Sequence, residues 1–257
     1  MTPIVTLTTD FGNADGYVGQ MKGVLLSLCP DLRVVDLSHE VPPQAVEAGA
    51  FLLETASAPF PAGTIHVAVV DPGVGTDRRR LVVRTAQHTF VLPDNGLVSR
   101  VLDREPGHAA WALDAAHYRR DAVSATFEGR DVFAPAAAWL ARGVAPERFG
   151  PEVSDLVRLP ASPVPSSGES VVPVVWVDRF GNVVLDVARA ALPPGAAPRV
   201  RAAGGAVDRL VRTYGEGTAK QPVLLFGSAG YLEIAVREGR ADTALGLHVG
   251  DRVTLLL

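Results

Sequence analysis

The sequence has few of the features that define several large protein classes. It contains one cysteine, Cys29, among 257 residues, so an internal disulfide framework is excluded and a reducing cytoplasm is the expected location. Cys29 follows an apolar helical pattern, which favours a buried, inert thiol over a nucleophile. The N-terminus has no basic region followed by an apolar run, so we expect no signal peptide. No apolar run reaches the length of a membrane span.

The sequence also has little excess of either positive or negative charge. The net charge is −4, and the 24 Lys and Arg residues are scattered, apart from Arg78–Arg80 and Arg119–Arg120. Nothing in this pattern indicates binding to nucleic acid or to an anionic membrane. The six histidines show no HxxxH or HExxH spacing, so no zinc site is expected. The sequence is instead 47% hydrophobic, which is enough for a core in one large or two modest domains.

The arrangement of apolar segments predicts two domains. Residues 1–160 alternate strand-like runs such as "PIVTLT" and "TIHVAVV" with helix-like runs such as "PQAVEAGAFLLETA" and "RDVFAPAAAWLARG". This alternation predicts an α/β domain with a largely parallel sheet. Residues 161–173 are rich in proline, serine and glycine, as in a linker. Residues 174–257 contain short strands separated by turns, which predicts a small all-β domain, either a barrel or a sandwich.

Two carboxylates flank the first strand-to-helix connection, "TTDFGNADGYVG". Asp10 ends a predicted strand, where ligands of open α/β sheets gather, so it is well placed to bind a ribose diol. Asp15 directly precedes an apolar helical pattern and is predicted to cap that helix.

The segment "VVDPGVGTDRR" places Asp71 at the end of an apolar strand, followed by a glycine-containing loop and by Arg78. A carboxylate and a guanidinium on one loop can form a bidentate pair that keeps the acid ionised. The spacing fits a catalytic pair and a purely structural ion pair equally well.

Further acids occur at three other turns. In "TFEGRDVFAP", Asp131 is predicted to be a first-turn charge with Arg130 solvated or paired, whereas Glu128 lies in the entry to the helix and is a candidate for chemistry. In the second domain, "VDRFGNVV" carries Asp178 and Asn182 around a predicted hairpin turn. In "FGSAGYLEIAV", the turn residue Ser228 precedes Tyr231 and Glu233 on one strand face, while Leu232 and Ile234 share the other face and are predicted core.

Together these stretches resemble the S-adenosyl-L-methionine (SAM) hydroxide adenosyltransferases, the SAM hydrolases related to fluorinases and chlorinases. The motifs "TTDFG", "VVDPGVGTDRR", "PDNGL", "GRDVFAPAAA", "FGNVV" and "GYLEIAV" occur here in the family's order. The resemblance implies an α/β domain, a C-terminal β-barrel and a homotrimer with SAM bound at the subunit interface. It implies attack of water or hydroxide on C5′ of SAM, which releases adenosine and L-methionine without a metal or other cofactor, SAM being the substrate.

The resemblance also assigns roles to individual residues. Asp71 and Arg78 match two members of the family's water-activating Asp–Arg–His set. The residues that match substrate-binding positions are Asp10 for the ribose diol, Asp178 and Ser228 for the methionine part, Asn182 for the adenine, and Glu233 and Val236 for the adenosine pocket. Tyr231, which precedes Glu233 and Val236 on the same predicted strand, is included in the predicted substrate site.

The sequence departs from the family at position 128, where Glu128 replaces the usual histidine. A second carboxylate near Asp71 would repel it, so one of the two should titrate upward and could act as a general base. Alternatively, Glu128 turns away and Asp71 and Arg78 position the water by themselves. The sequence leaves both arrangements open.

Three other functions are compatible with parts of the pattern. A non-catalytic SAM- or adenosine-binding protein would keep the pocket and lose turnover with the histidine. A SAM-dependent chlorinase would need a halide site, but related halogenases have tyrosine where this chain has Asp71. A methyltransferase is disfavoured because no glycine-rich nucleotide fingerprint follows the first strand.

Overall fold

The computed structural model describes residues 2–161 and 168–257. The chain divides into two compact units, Met1–Leu159 and Pro160–Leu257. The predicted linker 161–173 includes residues 162–167, which lie outside the described residues. A strand begins at Glu169, so residues 169–173 are strand and not linker.

The first unit alternates strands with helices. Its strands are β1 (Ile4–Thr9), β2 (Arg33–Ser38), β3 (Ile65–Val69), β4 (Arg80–Arg84), β5 (Thr89–Pro93) and β6 (Ala109–Ala112). Its helices are α1 (Tyr17–Leu28), α2 (Val46–Ser57), α3 (Ser99–Arg104) and α4 (Ala134–Ala141), with short 3₁₀ turns at Ala116–Tyr118 and Pro146–Arg148 and a π-helical turn at Gly129–Phe133.

These strands form one sheet in the order β2-β1-β3-β5-β4-β6. The pairs β1–β2, β1–β3 and β3–β5 are parallel, whereas β4 runs antiparallel to β5 and β6. The predicted α/β class with a largely parallel sheet is therefore confirmed. All five residues of β3 are buried, as expected for a central strand covered on both faces.

Helix α1 buries one face through Val18, Met21 and Leu25, which belong to the same core cluster as Val5 and Leu7 of β1. Cys29 follows the helix and is buried, as predicted. The prediction that Asp15 caps α1 is wrong: the N-cap position is Gly16, and the structure gives this helix no side-chain cap. The helix begins at Tyr17, two residues after Asp15, and Asp15 stays exposed.

The second unit is built from antiparallel strands. They are β7 (Glu169–Val177), β8 (Val183–Ala188), β9 (Arg199–Ala202), β10 (Gly205–Val207), β11 (Pro222–Phe226), β12 (Tyr231–Val236) and β13 (Arg252–Leu256), with one short helix, α5 (Ala241–Leu245). They pair in the order β10-β9-β13-β7-β8-β12-β11 and form a nearly closed, barrel-like sheet. Leu232 and Ile234 are fully buried in its core, as predicted.

Among the helices of the described residues, none has both the length and the apolar character required to cross a membrane.

Candidate functional site

The first candidate site lies where two parallel strands of the N-terminal sheet end. Thr9 of β1 is paired with Val69 of β3, so Asp10 and Asp71, which follow one and two residues later, leave the sheet at the same edge. The carboxyl ends of parallel strands are where open α/β sheets bind ligands. The topology therefore places these two carboxylates at one edge of the sheet, each at a strand end as predicted.

The loop after β3 fixes the direction of Asp71. The Asn95 side chain donates to the Val70 carbonyl at 2.9 Å, and the Gly73 backbone N–H donates to Asp71 Oδ1 at 3.2 Å. Gly75 has a φ of 78°, and a Cβ at this position would lie 2.6 Å from the Ala125 carbonyl oxygen. Glycine is therefore required there by both backbone conformation and space. It lets the Asp71 loop approach the segment that carries Glu128.

Arg78 connects the two acids. Its Nε donates to Asp71 Oδ1 at 2.9 Å, and its Nη2 bonds both Asp71 Oδ2 and Glu128 Oε2. The side chains of Asp71 and Glu128 are each 4% exposed, and the Arg78 guanidinium lies 5.6 Å from the centre of the Phe133 ring. The predicted set of Asp71, Arg78 and Glu128 is thus brought together in one buried cluster.

Glu128 has a second cationic partner, Arg80. Arg80 Nε lies 2.9 Å from Glu128 Oε1, and its Nη2 bonds the same oxygen. Glu128 therefore does not turn away from the cluster; it is held by two guanidinium groups. The two carboxylates and the two guanidiniums balance in formal charge.

The pKa shifts follow from this geometry. Burial alone would raise the pKa of Glu128, but hydrogen bonds and charge from Arg80 and Arg78 outweigh it, and the pKa falls below its usual value. The expectation of an upward shift is therefore not met at Glu128, because two cations compensate the neighbouring acid. Burial would lower the pKa of Arg78, but its bonds to Asp71 and Glu128 raise it.

Asp10 is oriented by a strained backbone position. Its Oδ2 accepts the Gln44 backbone N–H at 2.8 Å, and Gln44 has a φ of 65°, which non-glycine residues seldom adopt. Such a position persists when the surrounding structure over-determines it. It fixes one oxygen of Asp10 at the sheet edge.

Asp131, three residues after Glu128, has a structural environment. It is in the first turn of a helical segment and is paired with Arg130, as predicted, and it also bonds Arg120 and the Ser124 backbone N–H. Burial would raise its pKa, but these donors lower it to about 2.

The second candidate site is a cavity of about 650 Å³ in the C-terminal unit. Five predicted substrate-binding residues line it: Asp178, Asn182, Ser228, Glu233 and Val236. Tyr231, also predicted, is buried and is not among the lining residues in the described part of the chain. Asp10 belongs to the other unit.

The β7–β8 turn presents Asp178 and Asn182 together. Asp178 Oδ1 accepts the backbone N–H groups of Phe180 and Asn182, both at 2.9 Å, and Asp178 Oδ2 accepts Asn182 Nδ2 at 2.8 Å. Gly181 has a φ of 83°, which confirms the predicted turn. The same turn leaves Phe180 73% exposed beside the cavity.

Glu233 lies against a glycine and a tyrosine. Tyr214 donates its hydroxyl to Glu233 Oε2 at 2.8 Å, and a Cβ on Gly227 would lie 1.6 Å from Glu233 Oε1. Burial raises the pKa of Glu233; the Tyr214 hydrogen bond opposes this effect, and the charge of Asp178 adds to it. The absence of a side chain at position 227 therefore leaves the space that the Glu233 carboxyl occupies.

Three residues at these sites were not predicted from the sequence: Arg80, Phe180 and Tyr214. A signal existed for Arg80, because residues two apart on an extended chain point to the same side and Arg78 was already a candidate. Phe180 lies inside a motif that was noted for its neighbours. Tyr214 lies in a 3₁₀ turn, Tyr214–Glu216, distant in sequence from Glu233, and no local pattern pointed to it.

No group of three or more His, Cys, Asp and Glu side chains with the arrangement of a metal site occurs among residues 2–161 and 168–257.

Comparison with known proteins gives the following matches. Residues 5–150 match the model of the SAM hydroxide adenosyltransferase N-terminal domain, and residues 172–254 match that of the C-terminal domain. The chain is 43% identical to a (R)-S-adenosyl-L-methionine hydrolase of Thermus thermophilus, over 100% of both chains. It is 41% identical to a protein of the same name from Salinispora tropica, over 98% of this chain and 97% of the relative. The crystal structure of an uncharacterized conserved protein from Thermotoga maritima has a TM-score of 0.88 and 31% identity, and the match covers 99% of this chain and 100% of the other.

Proposed function

The chain belongs to the SAM hydroxide adenosyltransferase family, and from this premise we propose that it is a SAM hydrolase. The reaction is attack of water or hydroxide on C5′ of SAM. The C5′–O bond forms as the C5′–S bond breaks, the electron pair of the broken bond stays on sulfur, and an attacking water releases one proton to solvent; the products are adenosine and L-methionine. SAM is the substrate, and the proposal invokes no cofactor.

The observation that carries this proposal is the buried cluster of Asp71, Arg78 and Glu128 at the sheet edge. Methionine is a neutral leaving group when it departs from a sulfonium, so the protein has mainly to orient a nucleophile in line behind C5′. Arg78 fixes Asp71 through two hydrogen bonds. A carboxylate held in this way accepts a hydrogen bond from water and directs an oxygen lone pair at the carbon.

The same cluster favours water over a halide ion. A buried halide needs hydrogen-bond donors that are not already used, since an uncompensated buried charge is costly. The described donors of Arg78 are directed at Asp71, Glu128 and the Arg79 carbonyl. Asp71 would also place a carboxylate, which accepts hydrogen bonds and donates none, where a halide needs donors, whereas the same carboxylate can accept a hydrogen bond from water.

Substrate binding is assigned to the other residues. In this proposal Asp10 binds the ribose diol, Asp178 and Ser228 bind the methionine part, and Asn182 reads the adenine. Glu233 and Val236 line the adenosine pocket. The C-terminal cavity, lined by five of these residues, supports the assignment because a wide and partly apolar cavity suits a nucleoside.

The proposal includes a homotrimer in which SAM binds at the interface between subunits, as the family resemblance implies. It also includes a cytoplasmic location, where a reducing environment suits the single buried thiol of Cys29. Sedimentation of the purified protein tests the oligomeric state.

Product analysis tests the reaction. Purified protein is incubated with SAM in ¹⁸O-labelled water, and the products are separated and analysed by mass spectrometry. We expect equimolar adenosine and methionine, with the label in the 5′-hydroxyl of adenosine. Asp71→Asn should lower kcat by about 10²- to 10⁴-fold, the usual contribution of such a group. Asp77→Asn is the matched control, because this acid lies on the same loop and is exposed.

The outcome that would contradict the proposal is equally defined. If SAM stays intact at every pH tested while calorimetry shows tight adenosine binding, the protein is a non-catalytic binder. If 5′-chloroadenosine forms in chloride buffer in place of labelled adenosine, the protein is a halogenase.

A further inference from the structure

The proposed reaction gives no task to Arg80, although Arg80 is in direct contact with Glu128. Its Nε donates to Glu128 Oε1 at 2.9 Å, its Nη2 bonds the same oxygen, and its Nη1 donates to the Arg78 carbonyl at 3.3 Å. Two atoms of one guanidinium on one carboxylate oxygen form a specific, directional contact. The Arg80 side chain is 23% exposed, so most of it lies inside the protein.

The cluster would be unbalanced without this residue. Arg78 Nη2 contacts both Asp71 Oδ2 and Glu128 Oε2. Without Arg80, this one guanidinium group would be the only cation among the described residues in direct contact with the two buried acids. A buried carboxylate that lacks a full counter-charge is costly and either takes up a proton or competes for the cation nearby. Competition by Glu128 would draw Arg78 away from Asp71.

We propose that Arg80 is a positioning residue for the hydrolysis, an inference that rests on the proposed function. By binding Glu128, Arg80 keeps that carboxylate ionised and directed at Arg78, so that Arg78 remains bidentate on Asp71. The guanidinium at position 80 is the compensation that lets an acid occupy position 128, where the family resemblance predicts a histidine. A neutral imidazole there would need no second cation.

The groups that face Glu128 define the pH dependence. They are Arg80 from the start of β4, Asp71 and Arg78 from the loop between β3 and β4, and Arg119, which lies close enough to interact with the charges of Glu128 and Arg80. Because Arg80 opposes the effect of burial on Glu128, its removal raises the pKa of Glu128. A protonated Glu128 no longer holds Arg78 in place, so activity falls at the acid end of the profile.

A double-mutant cycle tests this role through kinetics. The variants are Arg80→Met, Glu128→Gln and the double variant, with Arg80→Lys as the conservative replacement. Arg84→Met is the control, because Arg84 lies at the other end of β4 and stacks on Trp111 at 5.1 Å. Arg80→Met should lower kcat by about 10- to 100-fold, as expected when the Asp71 carboxylate is misplaced relative to the reacting atoms, and KM should change little. The same variant should move the acid limb of the kcat profile to higher pH. Arg80→Lys should restore part of the loss.

The cycle should be strongly non-additive. When position 128 is an uncharged amide, loss of Arg80 leaves no carboxylate there without a counter-charge. The double variant should therefore be about as active as Glu128→Gln. Equal losses from Arg80→Met in the two backgrounds, or an unshifted acid limb, would overturn the inference.

Infrared spectroscopy gives a readout that does not depend on turnover. A carboxylic acid C=O band should grow in Arg80→Met as the pH is lowered to mildly acidic values, and it should be missing from the double variant at the same pH. If SAM is hydrolysed and this band is the same in wild type and Arg80→Met, the inference fails and the proposed function stands. If SAM is never hydrolysed and the band shifts, Arg80 still controls Glu128 but the proposed function fails.

Discussion

The two candidate sites are built on opposite principles. In the N-terminal cluster, charges are buried in matched pairs and the side chains of Asp71 and Glu128 are 4% exposed. In the C-terminal cavity, the space is about 650 Å³, Phe180 is 73% exposed, and the pKa of Glu233 is raised by burial. The first site holds charged side chains in fixed positions, and the second provides space for a bound molecule.

This difference separates two tasks. A group that acts on a reacting atom must be held within a fraction of an ångström, and ion pairs on a sheet edge supply that rigidity. A pocket that binds a nucleoside depends on shape and on a few polar contacts at its wall. Changes in the cluster should therefore alter kcat, whereas changes in the cavity should alter KM.

The largest expected effect on stability concerns the N-terminal unit and tests the contrast between Glu128 and its neighbour Asp131. Asp131→Asn should lower the free energy of unfolding by about 2 kcal/mol at neutral pH, since the pKa of Asp131 lies at about 2, below its ordinary value of 3.8. A depressed pKa contributes stability that is complete above the unfolded-state pKa and is lost as the pH falls through the folded-state value. The difference from wild type should thus shrink between about pH 4 and about pH 2.

Urea denaturation at a series of pH values measures this effect, and Asp121→Asn, which removes an exposed acid nearby, is the control. A large loss of kcat in Asp131→Asn that still has a native circular dichroism spectrum would mean that Asp131 belongs to the reactive cluster. The distinction between Glu128 and Asp131 would then be wrong.

The next effect concerns the cavity. In Gly227→Ala the new Cβ would lie 1.6 Å from Glu233 Oε1, so the carboxyl must move and its bond with Tyr214 is lost. Because the clash is with the end of a flexible side chain, the fold should survive. We expect KM for SAM to rise about tenfold, close to 1.4 kcal/mol, with kcat nearly unchanged. Gly23→Ala in α1, where a Cβ meets nothing within 4 Å, is the control. A tenfold loss in kcat at constant KM would break the proposed division of tasks.

The smallest effect tests the hydrogen bond by itself. Tyr214→Phe removes the hydroxyl that donates to Glu233 at 2.8 Å, so the pKa of Glu233 should rise further because this bond normally lowers it. KM should increase about two- to fivefold, as expected for a hydrogen bond worth about 0.5–1 kcal/mol. An NMR titration of the Glu233 carboxyl carbon measures the pKa, with Tyr118→Phe as control. An unchanged titration would show that Tyr214 does not influence this acid.

Secondary structure followed from local pattern wherever the pattern was strong. The strand-like runs of β1 and β3, rich in β-branched residues, and the helical spacing of α1 gave the correct elements. The strand β6 was missed because Ala109–Ala112 is rich in alanine, which has low strand propensity. The short strand β10 and the five-residue helix α5 carry too few residues for a periodic signal.

For the candidate sites, the sequence was sufficient to select Asp71, Arg78 and Glu128 and most of the residues that line the cavity. It was not sufficient to decide what Glu128 does. The charge state of that acid depends on Arg80, which lies 48 residues away in sequence, and interactions across such separations leave no local pattern.

Local patterns along the chain were enough to identify the chemistry-bearing groups and the strand ends at which they occur, because periodicity and turn residues fix where a chain leaves a sheet. The tertiary structure decided how the charges are shared. In the N-terminal cluster, two guanidinium groups contact two buried carboxylates. In the C-terminal cavity, the glycine at position 227 leaves space for the carboxyl group of Glu233. Burial makes such contacts decisive, since in a low-dielectric interior the protonation of an acid is set by the groups that touch it.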